Sequence, residues 1–257
     1  MTVDIFFVNG MPFLISLSRK LDFTAVNSIP NRKAGTVFKA FKEHHGYYAR
    51  RGFRITTLHA DGEFGPLQGM IEGMEGGPDV NLASANEHVP EIERRIRVVK
   101  ERARAVRHSM PFNRIPKIMV IHLVLNVAKM LTHFPSKGGI STVYSPRVLM
   151  GGDRLDYKKH LPMPFGTYCQ VHEEETPRNS NAARTQGAIC MGHSGNLQGG
   201  LKFMTLKTGK KIVRRTWDVI PTSDTVIARV NKLGKGQPKL LTFTDRKGNP
   251  NKVALLQ

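Results

Sequence analysis

The sequence predicts a mixed α/β sheet with flanking helices, followed by a small all-β, barrel-like domain. Three observations predict it. Apolar runs at 3–8 ("VDIFFV") and 12–17 ("PFLISL") flank Asn9-Gly10, a dipeptide that favours a tight hairpin. Helix-period segments then alternate with another apolar run, which places helices against a sheet. Beyond residue 160 the chain breaks into short β-like runs separated by turn residues, the pattern of a small barrel or open sandwich.

Taken in order, "FTAVNSI" (23–29) reads as a third strand after the hairpin. Residues 32–52 repeat apolar or packing positions at Val37, Phe38, Phe41 and His45 and stop at Gly46 or Gly52, which predicts a helix. "FRITTLH" (53–59) returns to a strand. The Gly-rich 69–79 reads as a mobile loop. A helix is expected from Pro90, because Ile92, Ile96, Val99, Ala103 and Val106 form one apolar stripe, and another is expected over 115–132. The β-like runs are 165–171, 186–191, 201–206, 210–216 and 224–230, with a hairpin around Thr208-Gly209. The expected organisation is a catalytic-type core over 1–133, an extended linker over 134–160, a small β-domain over 161–235 and a basic tail over 236–257.

Charge narrows the partners. Lys plus Arg number 39 against 20 Asp plus Glu, a net +19. Residues 201–257 hold 13 Lys or Arg and 3 acids, so that end alone supplies +10. Such an excess, spread along the chain, suggests a nucleic acid rather than a membrane surface. Cys169 and Cys190 form no CxxC pair, and two thiols in 257 residues suggest a reducing compartment. The run at 118–131 contains His122 and Lys129 and is too short to span a bilayer. The opening residues carry no secretory pattern, so an intracellular protein is expected.

Three carboxylates are candidates to share metal ions: Asp4 on the first strand, Asp61 at the end of a later strand, and Glu93 early in the Pro90 helix. Metal-assisted phosphoryl transfer needs oxygen ligands holding divalent ions, and two strands plus a crossing helix can supply them. Each residue also has a simpler reading. Asp61-Gly62 is a turn signal, Asp4 suits a strand start, and Glu93 suits a helix N-terminus. Glu63 and Glu91 compete for the same duty. Glu93, Arg97, Lys100, Arg104 and Arg107 share one helix face, an acid followed by turns of cations that suits phosphate contacts. Lys210, Lys211, Arg214 and Arg215 form a second basic group on the 201–217 hairpin.

These residues resemble the integrase of copia-type long-terminal-repeat retrotransposons. "VDIFFVNGMPFLISLSRKLDF" is similar to the family's first strands, "LHADGEF" to the motif of its second aspartate, and "EHVPEIERRIRVVKERAR" to the helix bearing its glutamate. The resemblance runs from residue 3 to about 235. It implies an RNase H-like core in which Asp4, Asp61 and Glu93 hold two Mg²⁺ or Mn²⁺ ions. It also implies 3′-end processing and joining of element DNA to target DNA, and a homo-oligomer. The site of action would be the nucleus, after synthesis in the cytoplasm. Arg97 and Lys100 would touch element-end DNA. The "ADGEF" motif lacks the family's Asn between Asp and Gly, and no His-His-Cys-Cys zinc module precedes Asp4, so no zinc is expected. A fragment of a longer polyprotein, active or decayed to a nucleic-acid-binding remnant, fits these departures.

Overall fold

The computed structural model describes residues 1–84, 89–152, 154–173, 181, 183–196, 198–236 and 240–250. These form two compact units. One comprises Met1–Arg102, Val127–Arg154 and the chain from Thr242; the other comprises Ala103–Asn126 and Leu155–Leu241.

The first unit is built on strands β1 (Thr2–Val8), β2 (Met11–Leu17), β3 (Thr24–Ser28), β4 (Thr57–Ala60) and β5 (Asp79–Leu82), in the order β3-β2-β1-β4-β5. β2 is antiparallel to β1 and β3, while β4 and β5 run parallel to β1. This is the RNase H-like mixed sheet. Asn9 and Gly10 both have positive φ, the geometry a two-residue hairpin turn requires. β1 is apolar at nearly every position because both of its faces are covered, so its sequence does not alternate. Helix α1 (Ala34–Ala49) buries Val37, Ala40 and Phe41 against Ile5, Leu14 and Leu58. Its His44 is fully buried, and burial lowers the imidazole pKa to about 3, so the ring is a neutral packing group.

The Gly-rich stretch 69–79 is a turn only over 73–78; its first residues are helical. Helix α2 (Gln68–Glu72) buries Ile71 completely, and Glu72 Oε1 accepts hydrogen bonds from Gln68 Nε2 and the Val80 amide. One buried isoleucine and one bridging carboxylate hold the helical turn, and Gly73, Gly76 and Gly77 fall in the turn that follows it. Helix α3 (Pro90–His108) follows as expected: Ile92, Ile96, Val99 and Ala103 are buried along a single stripe. Helix α4 (Lys117–Leu131) occupies the second helical stretch. Within the expected linker lie two one-turn helices, α5 (Pro146–Leu149) and α6 (Tyr157–His160).

The second unit holds strands β6 (Tyr168–His172), β7 (Thr185–His193), β8 (Leu201–Thr205), β9 (Lys211–Arg214) and β10 (Trp217–Val219), in the antiparallel order β10-β6-β7-β8-β9. Among the described residues β10 and β9 are the two edges, so their pairing does not close into the barrel the turn pattern suggests. Residues 224–230, expected as a strand, belong instead to helix α7 (Asp224–Leu233). Val226 and Val230 are buried four residues apart, a helical repeat that the β-branched composition disguises. Part of the expected basic tail is also structured: β11 (Phe243–Thr244) pairs antiparallel with β1.

Gly192 sits where the β7–β8 register shifts, with φ +86°, and a Cβ there would lie 2.2 Å from Asn126 Oδ1. Gly192→Ala is expected to destabilise the second unit by about 2 kcal/mol, from left-handed strain plus this close approach. Thermal melts of the two proteins measure it, and coincident melts would contradict it.

Candidate active site

The site begins with strand register. β1 and β4 pair in parallel through Thr2↔His59 and Val3↔Ala60, so one step further along the sheet Asp61 comes alongside Asp4. Asp4 points from a strand whose neighbours are buried, and its side chain is only 17% exposed. Its Oδ1 accepts the Ile5 amide at 2.6 Å. Burial pushes the carboxyl up to about 6, against the pull of the Ile5 amide and of Arg246.

Asp61 starts a 3-10 turn, Gly62–Leu67, but its side chain makes no capping bond. The carboxylate, spared from that duty, meets the guanidinium of Arg246. The turn buries Phe64 and Leu67, so the Asp-Gly pair fixes where the strand ends and which way Asp61 faces. Glu63 lies on the same turn, its side chain 18% exposed.

Arg246 organises the group. Its Nη2 contacts Asp61 Oδ2 and lies 3.6 Å from Asp4 Oδ1, and its Nε lies 3.1 Å from Glu63 Oε2. Arg32 Nη1 holds the other Glu63 oxygen at 3.0 Å. Three carboxylates thus converge on one positive group. The neighbouring carboxylates raise the Arg246 pKa despite the opposing effect of its partial burial. Composition alone reads Arg246 as tail charge. Its signal was the Phe-Thr pair just before it, a β-prone dipeptide able to dock on a sheet.

Glu93 stands exposed in the first turn of α3. Among the described residues no three acidic, histidine or cysteine side chains form a group that could hold a metal ion. The structure therefore brings Asp4 and Asp61 to one cation, and it does not gather Glu93 with them into such a group. The two adjacent carboxylates are of the donor type that suits a hard divalent ion, and a positive group sits between Asp4 and Asp61. Burial first of all raises the Cys169 and Cys190 thiols to about 12 and about 11 and keeps them protonated.

The predicted cations are distributed over both units. Arg97 is exposed, and Lys100 places its ammonium 5.5 Å from the Phe243 ring centroid. Arg104 and Arg107 are half-buried further along α3, where Arg107 Nη2 donates to the Asn113 carbonyl and partial burial lowers the Arg107 pKa. On the β8–β9 hairpin Lys210, Lys211 and Arg215 are exposed. Arg214 is turned inward, donating from Nε to the His172 carbonyl at 3.0 Å and from Nη1 to Val213 at 2.9 Å. One basic contribution was missed. Lys202 is half-buried, and burial followed by repulsion from Lys211 lowers its pKa. Burial, Lys202 and Lys211 together lower His122 to about 4. Its signal was a Lys at the alternate, non-core position of an apolar strand.

The fold is an RNase H-like mixed sheet in which Asp4, within β1, lies beside Asp61, just past the end of the parallel strand β4. The chain is similar to the catalytic core domain of BIV integrase. The likeness covers 58% of this chain and 91% of that one, at 15% identity and a TM-score of 0.42. No protein-family model matches the sequence, and no curated protein matches it. Among the described residues no helix is long and apolar enough to cross a membrane.

Proposed function

We propose that this chain is an integrase-type polynucleotidyl transferase region, which processes the 3′ ends of element DNA and joins them to target DNA. The observation that carries the reading is the adjacency of Asp4 and Asp61 across β1 and β4, both facing one cation. Two Mg²⁺ or Mn²⁺ ions, when bound, would activate the attacking oxygen and stabilise the leaving one. Asp4 and Asp61 would hold them, and Glu93, early in α3, is the proposed third ligand. Asp4 is the rigid partner, fixed by the Ile5 amide on a buried strand. Asp61 is the more exposed one, at 42% of its side chain, and through a bound ion would face the incoming phosphate. Arg97 and Lys100, one and two turns beyond Glu93, would position the DNA backbone. Lys210, Lys211 and Arg215 would add phosphate contacts from the second unit. We further propose a homo-oligomer acting in the nucleus.

A second reading has its own support. Arg246 seated among the carboxylates suits a remnant that binds nucleic acid without cutting it. A joining assay on element-end DNA with Mg²⁺ separates the two: joining by the wild type and none by Asp61→Asn supports the transferase. Salt-sensitive binding by both proteins, with no joining by either, sinks it in favour of the remnant.

The basic face has a separate test. Replacing Arg97 and Lys100 together with alanine is expected to flatten the dependence of log affinity on log salt by about 2, since each phosphate contact contributes about 0.9. An unchanged slope would remove these residues from the interface.

A further inference from the structure

We infer that the hairpin 242–250 is an internal blocking arm, which holds the Arg246 guanidinium where a divalent cation would otherwise sit between Asp4 and Asp61. The inference rests on the reading of those two carboxylates as metal ligands.

The geometry of β1 shows why a hairpin can reach this place. β4 pairs with β1 only at Thr2 and Val3, then gives way to Asp61 and the 3-10 turn. The remainder of that edge of β1 would be left open, and β11 fills it, pairing Thr244 with Phe7 and Phe243 with Val8. Two residues past Thr244, the antiparallel course brings Arg246 level with Ile5, beside Asp4. The anchoring is local. The Asn9 amide donates to the Thr242 carbonyl at 2.6 Å, the Thr242 amide donates to Asn9 Oδ1 at 2.8 Å, and Phe243 is buried. Asp245 closes the hairpin on itself by accepting the Lys247 and Asn249 amides, each at 2.8 Å.

The arm is built to let go. Its strand is two residues long, and the Arg246 side chain is 40% exposed, so solvent competes with its ion pairs. A guanidinium carries one delocalised positive charge and binds carboxylates through hydrogen bonds. A divalent ion carries two charges and binds the same oxygens directly. Both cannot occupy the gap between Asp4 and Asp61, so metal binding and Arg246 docking oppose each other. Arg246 also keeps the paired acids from repelling one another when no metal is present.

The test is Mn²⁺ titration of the full chain, followed by electron paramagnetic resonance, for wild type, Arg246→Gln and Asp61→Asn. If the arm is docked at least nine-tenths of the time, Arg246→Gln should bind Mn²⁺ at least about tenfold more tightly than wild type. Asp61→Asn should lose the ion. A measurement on the wild type alone guards against a misfolded variant: with ¹⁵N-arginine, the Arg246 Nε–H should lose its exchange protection as Mg²⁺ is added. Equal Mn²⁺ affinity in wild type and a folded Arg246→Gln, or an Nε–H signal unmoved by saturating Mg²⁺, would overturn the blocking arm while leaving the metal reading intact. No Mn²⁺ bound by either chain, or binding indifferent to Asp61→Asn, would overturn both.

Discussion

Asp61→Asn is expected to lower metal-dependent joining at least about a thousandfold, roughly 4 kcal/mol of transition-state stabilisation, with little loss of fold. The substitution keeps the shape and an acceptor oxygen but removes the negative charge that holds a cation at the strand end. Asp61 makes no capping bond to its own turn, so neither the 3-10 segment nor the burial of Phe64 depends on its charge. What the fold loses is a partly exposed ion pair with Arg246, worth at most about 1 kcal/mol. DNA binding should persist, because Arg97, Lys100 and the hairpin lysines are untouched. The measurements are single-turnover joining under Mn²⁺, a thermal melt, and a binding isotherm at fixed salt. Joining within tenfold of wild type, with the melt unchanged, would remove Asp61 from the chemistry.

That expectation was available in the sequence because the residues around Asp61 are locally consistent. The run before it is apolar, the Asp-Gly pair ends it, and Asn9-Gly10 sets the hairpin that makes β1 central. Asp4 and Asp61 meet because two adjacent parallel strands share a register, and the apolar pattern fixes register tightly. Glu93 lies on α3, which the stripe from Ile92 to Ala103 specifies, but helix periodicity says nothing about where a first-turn side chain lies relative to a distant sheet.

The parts that were not legible share a cause. Arg246 lies 185 positions from Asp61, in a stretch whose composition reads as solvated charge. Its placement depends on a two-residue strand finding the open edge of β1, a long-range pairing with almost no local signature. The sequence of α7 reads as a strand because Val226, Ile227 and Val230 are β-branched, and that composition hides a period that only burial reveals. In α2 the glycines concealed Ile71, whose burial is a tertiary fact. The open edges β10 and β9 show the same limit, since turn spacing predicts strands but not whether the first and last will meet.

Asp4→Asn is expected to stabilise the fold, and to do so only where the carboxylate would be ionised. In the folded chain Asp4 titrates at about 6, chiefly because burial disfavours its charge, against about 3.9 for an unfolded aspartate. Between those values the folded state holds the extra proton, so wild-type stability falls as pH rises from about 4 to about 6 and stays reduced above. A difference of about two pKa units corresponds to about 3 kcal/mol. The asparagine oxygen can still accept the Ile5 amide and carries no charge to desolvate. In chelator, the gain from Asp4→Asn over wild type should therefore be about 2 kcal/mol larger at pH 7.5 than at pH 4. Denaturant melts of both proteins across that range give the difference directly, and other titrating groups cancel from it. Parallel curves would mean that Asp4 is ionised without cost in the folded chain. The predicted gain identifies what the site gives up: a carboxylate kept on a buried strand against its own desolvation is tolerable only with a cation beside it. Arg246 supplies that cation when no metal is present, so Arg246→Gln should widen the pH gap further, moving its upper limit above 6.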